Sequence, residues 1–213
     1  MRAEILAAAT DLLLETGDES AVSIRAVSDR VGVSPPSIYI HFADKDTLIS
    51  EVVANYFTRL DEVMRRAGAQ YEDSWQAAHA QGLAYVRFAV ENAELYRVAT
   101  MKQCPEGTDA DAVLGESAFV HFAETIERLM DEGIIDKGDP TPVVLEFWTA
   151  AHGVAALMIA KPYLFADDNY DLAERVLTSV SLGRVTKDLI GRTAGPQEIR
   201  KYVVEQRAKR RFD

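Results

Sequence analysis

Ser23-Ile-Arg-Ala-Val-Ser-Asp-Arg-Val-Gly-Val-Ser-Pro-Pro-Ser-Ile-Tyr-Ile-His-Phe42 is the stretch that decides the fold. Ile24, Val27 and Val31 recur at helical spacing, and Ala26 is small enough for a second helix to cross closely. Gly32 supplies the left-handed residue that ends one helix and turns the chain. Ser34 then stands as an N-cap, with Pro35 at the first helical position, where a missing N–H costs nothing. Two short helices, at about 23–31 and 35–40, joined by so tight a turn read as a helix-turn-helix. The second is of a size to lie in a major groove. Paired short helices also occur in bundles that never meet DNA, so spacing alone leaves both readings open.

Outward from this unit, helix signals dominate. Ile5, Ala8, Ala9, Leu12 and Leu13 mark a first amphipathic helix ending at Gly17. Asp44 opens a long helix that carries Leu48, Val52, Tyr56, Leu60 and Val63 to about Gly68. Further helices are expected at about 74–91, 93–101, 109–132, 139–160, 169–190 and 197–210, with loops near 104–109, 136–142 and 161–169. Alternating strands and repeats are absent from the pattern. The expected fold is all-α. A three-helix head over residues 1–49 is joined by a long helix to a larger body over 50–213.

Composition narrows the class. The 213 residues are 48% hydrophobic and 27% charged, the balance of a globular chain. The single Cys104 rules out an internal disulfide framework. No apolar run approaching the ~18 residues of a membrane span is expected, and the first residues lack a secretory h-region. A cytoplasmic protein without a membrane partner is the expectation. The net charge of −11 argues against a generic nucleic-acid binder. Residues 1–60 hold 5 basic and 9 acidic side chains, and residues 200–213 hold 6 and 2. DNA contact by the head must therefore rest on a few placed cations, hydroxyls and helix termini.

Those groups are identifiable. Ser34, Pro35, Pro36 and Ser37 sit at the start of the second short helix, the end that reaches base edges. Hydroxyls bond bases or phosphates, and a proline ring suits a thymine methyl. Tyr39 and His41 follow within reach of phosphates, although Tyr39 and Phe42 also suit an aromatic core clamp. Lys45 lies in the first turn of the next helix, whose dipole attracts anions, and Arg25 reaches from the other side.

These residues resemble the amino-terminal domain of the tetracycline-repressor (TetR) family of bacterial regulators over residues 2–49. The resemblance is carried by Ile5-Leu6-Ala7-Ala8-Ala9, Ser23-Ile24-Arg25, Val31-Gly32-Val33-Ser34, Ile38-Tyr39-x-His41-Phe42 and Lys45-Asp46-x-Leu48. It implies that Ser34, Pro35, Ser37, Tyr39, His41 and Lys45 approach a double-stranded DNA operator, with Tyr39 and His41 on phosphates. Two departures stand out. Pro36 occupies a place where glycine or alanine is frequent, and only Arg2 remains of a basic amino-terminal arm.

In the body, Phe147-Trp148-Thr-Ala-Ala-His152-Gly153 is similar to the Trp-x-x-x-His-Gly signature of one carboxy-terminal class of that family, as is the segment from Arg87 to Arg97. Trp148 and His152 share a helix face. With Tyr56, Tyr85, Phe88, Phe119, Phe122 and Met158 they are candidates for a small-molecule effector pocket, mostly apolar with a polar handle. Aromatic residues at such spacing equally suit an ordinary core, and His79 and His121 suit partly buried or surface positions rather than a ligand site. Ala151, Ala155, Val176, Val180 and Leu182 give segments 141–160 and 170–190 faces for close helix packing. An intramolecular core explains that pattern too, and the resemblance implies a homodimer with a repressor's response to a small, largely apolar ligand. The tail, with Ile199, Tyr202, Val203 and Gln206 ahead of Lys209-Arg210-Arg211, is expected to dock on the body.

Two other classes compete. An all-α enzyme would need a catalytic or metal motif. No His has a Glu three residues before it, and no cofactor-binding glycine motif occurs, so no cofactor or metal is expected. A dimeric adaptor that has lost DNA binding would keep the head without its function.

Overall fold

The computed structural model describes residues 1–101, 119–165, 170–191 and 194–209. These residues form ten α-helices and no strand. The head comprises α1 (Arg2–Thr16), α2 (Ile24–Val31) and α3 (Pro35–Tyr39). The long α4 (Lys45–Gly68) leads to α5 (Ser74–Glu91), α6 (Ala93–Met101), α7 (Val120–Asp131), α8 (Thr141–Ala160), α9 (Asp171–Ile190) and α10 (Pro196–Lys209). Short 3-10 turns cover Glu19–Ala21 and Pro162–Leu164. Cys104, the start of the expected 109–132 helix and Arg210-Arg211 lie outside the described residues.

Local chemistry sets the head's corners. Gly17 ends α1 at φ 63 and Gly32 ends α2 at φ 79, each in the left-handed region that glycine enters without strain. The Ser23 hydroxyl accepts from the Ala26 N–H at 3.1 Å and caps α2. The Asp44 carboxylate accepts from the Thr47 N–H at 2.7 Å and caps α4. Ser34 occupies the N-cap place of α3, but its hydroxyl pairs with that of Ser37 at 3.0 Å rather than with the backbone. Ile5, Ala9, Leu13, Val22, Val27, Ile38, Phe42 and Leu48 close the head's interior, none above 1% exposed.

One apolar core continues from Ile5 in the head to Leu177 in the body. Along α4 the buried stripe steps by four through Leu48, Val52, Tyr56, Leu60 and Met64. The sequence reading ended that stripe at Val63. In the structure Val63 is exposed, because keeping the i+4 step holds the stripe against α5, whereas an i+3 step turns off it. In the body α5 packs against α4, α7, α8 and α9, and α8 lies along α9.

Three further expectations are corrected. Helix α8 is long and apolar enough to cross a membrane, with mean hydropathy 1.6, although only 39% of that stretch is buried. Its buried face is Val143, Val144, Phe147, Ala151, Val154, Ala155, Met158 and Ile159, with Glu146 and His152 outside it. Ala151 and Ala155, expected at a subunit contact, are therefore interior. The tail helix α10 docks on the body only shallowly: it buries no residue and packs mainly against α9. Its apolar positions are spaced too loosely between charges to cover a face.

Candidate functional site

At the tip of the head, α3 buries a single residue, Ile38. Around it Ser34, Pro35, Pro36 and Tyr39 are exposed, and Ser37 and His41 are partly so. Tyr39 is 53% exposed, so Phe42 alone serves as the aromatic clamp. Ile40, absent from the sequence reading, is 80% exposed at the end of this tip. Its signal was a β-branched residue between Tyr39 and His41 with no helix period to bury it. Arg25 is 89% exposed at its side chain and pairs loosely with Asp29 at 4.0 Å.

Two cations are differently employed. Lys45 is partly buried, and its ammonium donates to the Glu19 carbonyl at 2.8 Å, tying the start of α4 to the turn before α2. Arg2 stacks over the Phe42 ring at 5.2 Å and pairs with Glu51, pinning α1 to α4.

In the body, α4, α5, α6 and α8 bring together Tyr56, Tyr85, Tyr96, Trp148 and His152. The Trp148 indole donates to the Tyr85 hydroxyl at 3.1 Å. The Tyr96 hydroxyl lies 2.8 Å from His152 Nδ1 and 3.1 Å from the His152 carbonyl. Burial lowers the His152 pKa. Burial also raises the phenols: Tyr96 is pushed up to about 12, and Tyr85 well above its ordinary value. Tyr56 is raised in the same way, and its hydroxyl is sealed without a hydrogen-bond partner among the described residues. Such an orphan costs about 1–3 kcal/mol.

Beside this network is a cavity of about 10 Å³, lined by Met64, Gly82, Tyr85, Phe119, Phe122, Phe147, Trp148 and Ala151. A space of that size holds at most one water. Of the residues expected at a ligand, Tyr85, Phe119, Phe122 and Trp148 wall it. The His152 ring centroid lies 5.8 Å from that of Trp148. Phe88 is not on the wall; it stacks on Tyr56 at 5.2 Å and under Arg59 at 5.8 Å. Met158 is buried elsewhere in the core. Tyr96 escaped the sequence list because its partner lies 56 residues away, a separation without periodic trace.

Helix α6 links the two regions. It carries Tyr96, packs against α1 and α4, and presents Glu94, paired with Arg97, to Gly17. A Cβ at Gly17 would sit 3.1 Å from the Glu94 carboxylate. The other interhelical histidine pairs are His121 to Asp61 at 2.8 Å and His79 to Glu174 at 2.9 Å.

Residues 5–52 match the family model described as bacterial regulatory proteins, tetR family, and residues 78–180 match that of a tetracyclin repressor-like C-terminal domain. The chain belongs to the TetR family of DNA-binding transcriptional regulators. It is 27% identical over 182 residues to the uncharacterized HTH-type transcriptional regulator YobS of Bacillus subtilis (strain 168), covering 80% of this chain and 84% of that protein. Among solved structures, a protein of unknown function from Rhodococcus sp. RHA1 superposes with TM-score 0.71 and 24% identity, covering 86% of this chain and 93% of its own. A TetR family transcription regulator from Marinobacter aquaeolei VT8 superposes with TM-score 0.63 and 17% identity, covering 84% and 94%. These two share the fold. Membership in a family of regulators decides against the all-α enzyme.

Proposed function

We propose that this TetR-family chain is a cytoplasmic, effector-responsive repressor that binds a palindromic operator as a homodimer. The observation that carries DNA reading is the tip of α3, where Ser34, Pro35, Pro36, Tyr39 and Ile40 all face outward around one buried residue. Hydroxyls and apolar rims suit base edges and thymine methyls. Tyr39 and His41 take phosphates, Arg25 supplies a mobile cation, and Lys45 acts chiefly by holding the α4 terminus in place.

The dimer reading rests on the open face of α8 and α9. Leu145, Leu157, Leu182 and Leu189 are 44–70% exposed there. Gly153 and Gly183 lie in the same helices with nothing within 4 Å of where a Cβ would stand. Mid-helix glycine costs about 1 kcal/mol relative to alanine, and no neighbour among the described residues requires either. Close approach of a second copy's helices accounts for both. Two heads in a C2 dimer then meet half-sites one helical turn apart or a multiple of it.

Residues 1–49 act as the DNA-binding unit and 50–213 as the effector and dimerisation unit. An effector entering at Trp148 and His152 displaces Tyr96, and α6 carries that shift to α1. Release requires differential affinity: moving the population from 1:99 to 99:1 takes about 10⁴-fold, or about 5.5 kcal/mol. Fluorescence anisotropy on DNA from the promoter beside its own gene tests the reading. Sub-micromolar, salt-sensitive binding that Tyr39→Ala and His41→Ala weaken is expected. Indifference to that DNA at low salt would overturn it.

A further inference from the structure

The polar groups at the tip of the head leave most of the work of base selection to something else. This inference rests on the DNA-reading function above and concerns which chemical feature of the bases α3 meets. Between Gly32 and Lys45 there is no Arg, Lys, Asn or Gln, the side chains that grip guanine or adenine with two hydrogen bonds. Pro35 and Pro36 have no backbone N–H to offer. The Ser34 and Ser37 hydroxyls bond each other at 3.0 Å, and the Asp44 carboxylate is held by the Thr47 N–H. Lys45 is tied to the Glu19 carbonyl. Of the head's arginines, Arg2 and Arg30 are paired with Glu51 and Glu15, which leaves two-bond contacts to a base edge to Arg25 on α2.

What α3 itself presents is apolar. Ile40 follows it with φ −64 and ψ −29, so the helical turn continues through this residue. At about 100° per residue, Pro36 and Ile40 each stand about 160° from Ile38 and about 40° from one another. Because Ile38 is the buried residue, these two form the outermost ridge of the helix. Pro36 is exposed and Ile40 is 80% exposed. Along the base edges of the major groove, the apolar group is the C5-methyl of thymine. Cytosine carries a methyl at the same ring position once it is methylated at C5. Setting the ridge against an unmethylated cytosine or a purine edge would strip water from polar atoms and give them no partner. We propose that α3 reads its half-site through pyrimidine C5-methyl groups, with Ile40, flanked by Pro36, as the residue that selects them. Thymine and 5-methylcytosine are then equivalent at that place, and unmethylated cytosine is rejected.

The experiment uses the full chain and the promoter fragment beside its own gene, footprinted to locate the operator, with fluorescence anisotropy as the readout. Each thymine of the half-site is replaced in turn by deoxyuridine, at the equivalent place in both half-sites. That change deletes two methyls and keeps every hydrogen-bonding group. At one position the loss should be about fifteenfold, equivalent to about 1.6 kcal/mol. 5-Methylcytosine paired with guanine at that position should bind within about threefold of thymine, whereas cytosine should bind as weakly as deoxyuridine. Ile40→Ala should bind the thymine operator about as weakly as the unsubstituted protein binds the deoxyuridine one, and should lose no more than about twofold further on deoxyuridine. Ile40→Val, which keeps a branched side chain, should retain most of the discrimination. Ile40 is exposed, so neither substitution disturbs the head's interior. Three results would each overturn the methyl reading while DNA binding itself stands: deoxyuridine tolerated within twofold at every thymine, an undiminished deoxyuridine penalty in Ile40→Ala, or no recovery with 5-methylcytosine. Indifference to the whole fragment at low salt overturns the operator reading along with it.

Discussion

Gly153 gives a prediction whose sign depends on what covers the face of α8. In an isolated protomer, Gly153→Ala should stabilise, because nothing lies within 4 Å of the new Cβ and the helix-propensity gain is about 0.8–1.0 kcal/mol. For a chain of this size that gain corresponds to about 2–4 °C in Tm. If a second copy's helix packs directly on Gly153, the added methyl pushes the two backbones apart. The lost contact between Leu157, Leu182 and their counterparts then outweighs the propensity term. The dimer reading therefore expects Gly153→Ala to keep its helicity and weaken the dimer by about tenfold or more, or about 1.4 kcal/mol. Gly153→Arg should yield monomers at micromolar concentration. Analytical ultracentrifugation across a hundredfold concentration range, with melting curves at each end, separates the terms. A Tm rise of a few degrees at every concentration, with the dimer constant unchanged and Gly153→Arg still dimeric, would refute the assignment of this face.

Other outcomes follow from single contacts. Arg25→Ala should reduce the slope of log affinity against log salt by about one, whereas Lys45→Ala should lower the melting temperature through loss of its bond to the Glu19 carbonyl. His152 has a folded pKa below its unfolded value, so the unfolded chain takes a proton that the native ring refuses. Stability is then full above the ordinary imidazole range and falls as pH drops through it; in melts from pH 8 to 5.5, His152→Gln should show a shallower fall than wild type. Removing residues 196–213 should leave the melting temperature nearly unchanged, since α10 buries no residue, and a large drop would show that the tail packs in solution.

The head was legible in the sequence because its decisive features are local. Gly17 and Gly32 specify left-handed turns, Pro35 a helix start, and Ser23 and Asp44 caps, each through atoms within a few residues. The period of Ile5, Val27, Ile38 and Leu48 marks one inward face, and what remains at the tip is necessarily outward. The roles of Arg2 and Lys45 were not legible, because their partners Phe42, Glu51 and Glu19 lie 26 to 49 residues away.

By itself the sequence determined an all-α chain with a helix-turn-helix head, a long connecting helix and an aromatic-rich body. Only the tertiary structure decided which faces those body helices use. Helix α8 is apolar nearly all round, so its period cannot distinguish the Ala151 and Ala155 face turned toward α5 from the open face of Leu145, Gly153 and Leu157. The Tyr96–His152 pairing, the small apolar cavity beside it and the burial of the Tyr56 hydroxyl likewise depend on four helices meeting in the body. Helical periodicity records that a face is buried, while the identity of what it is buried against is set by packing between segments far apart in the chain.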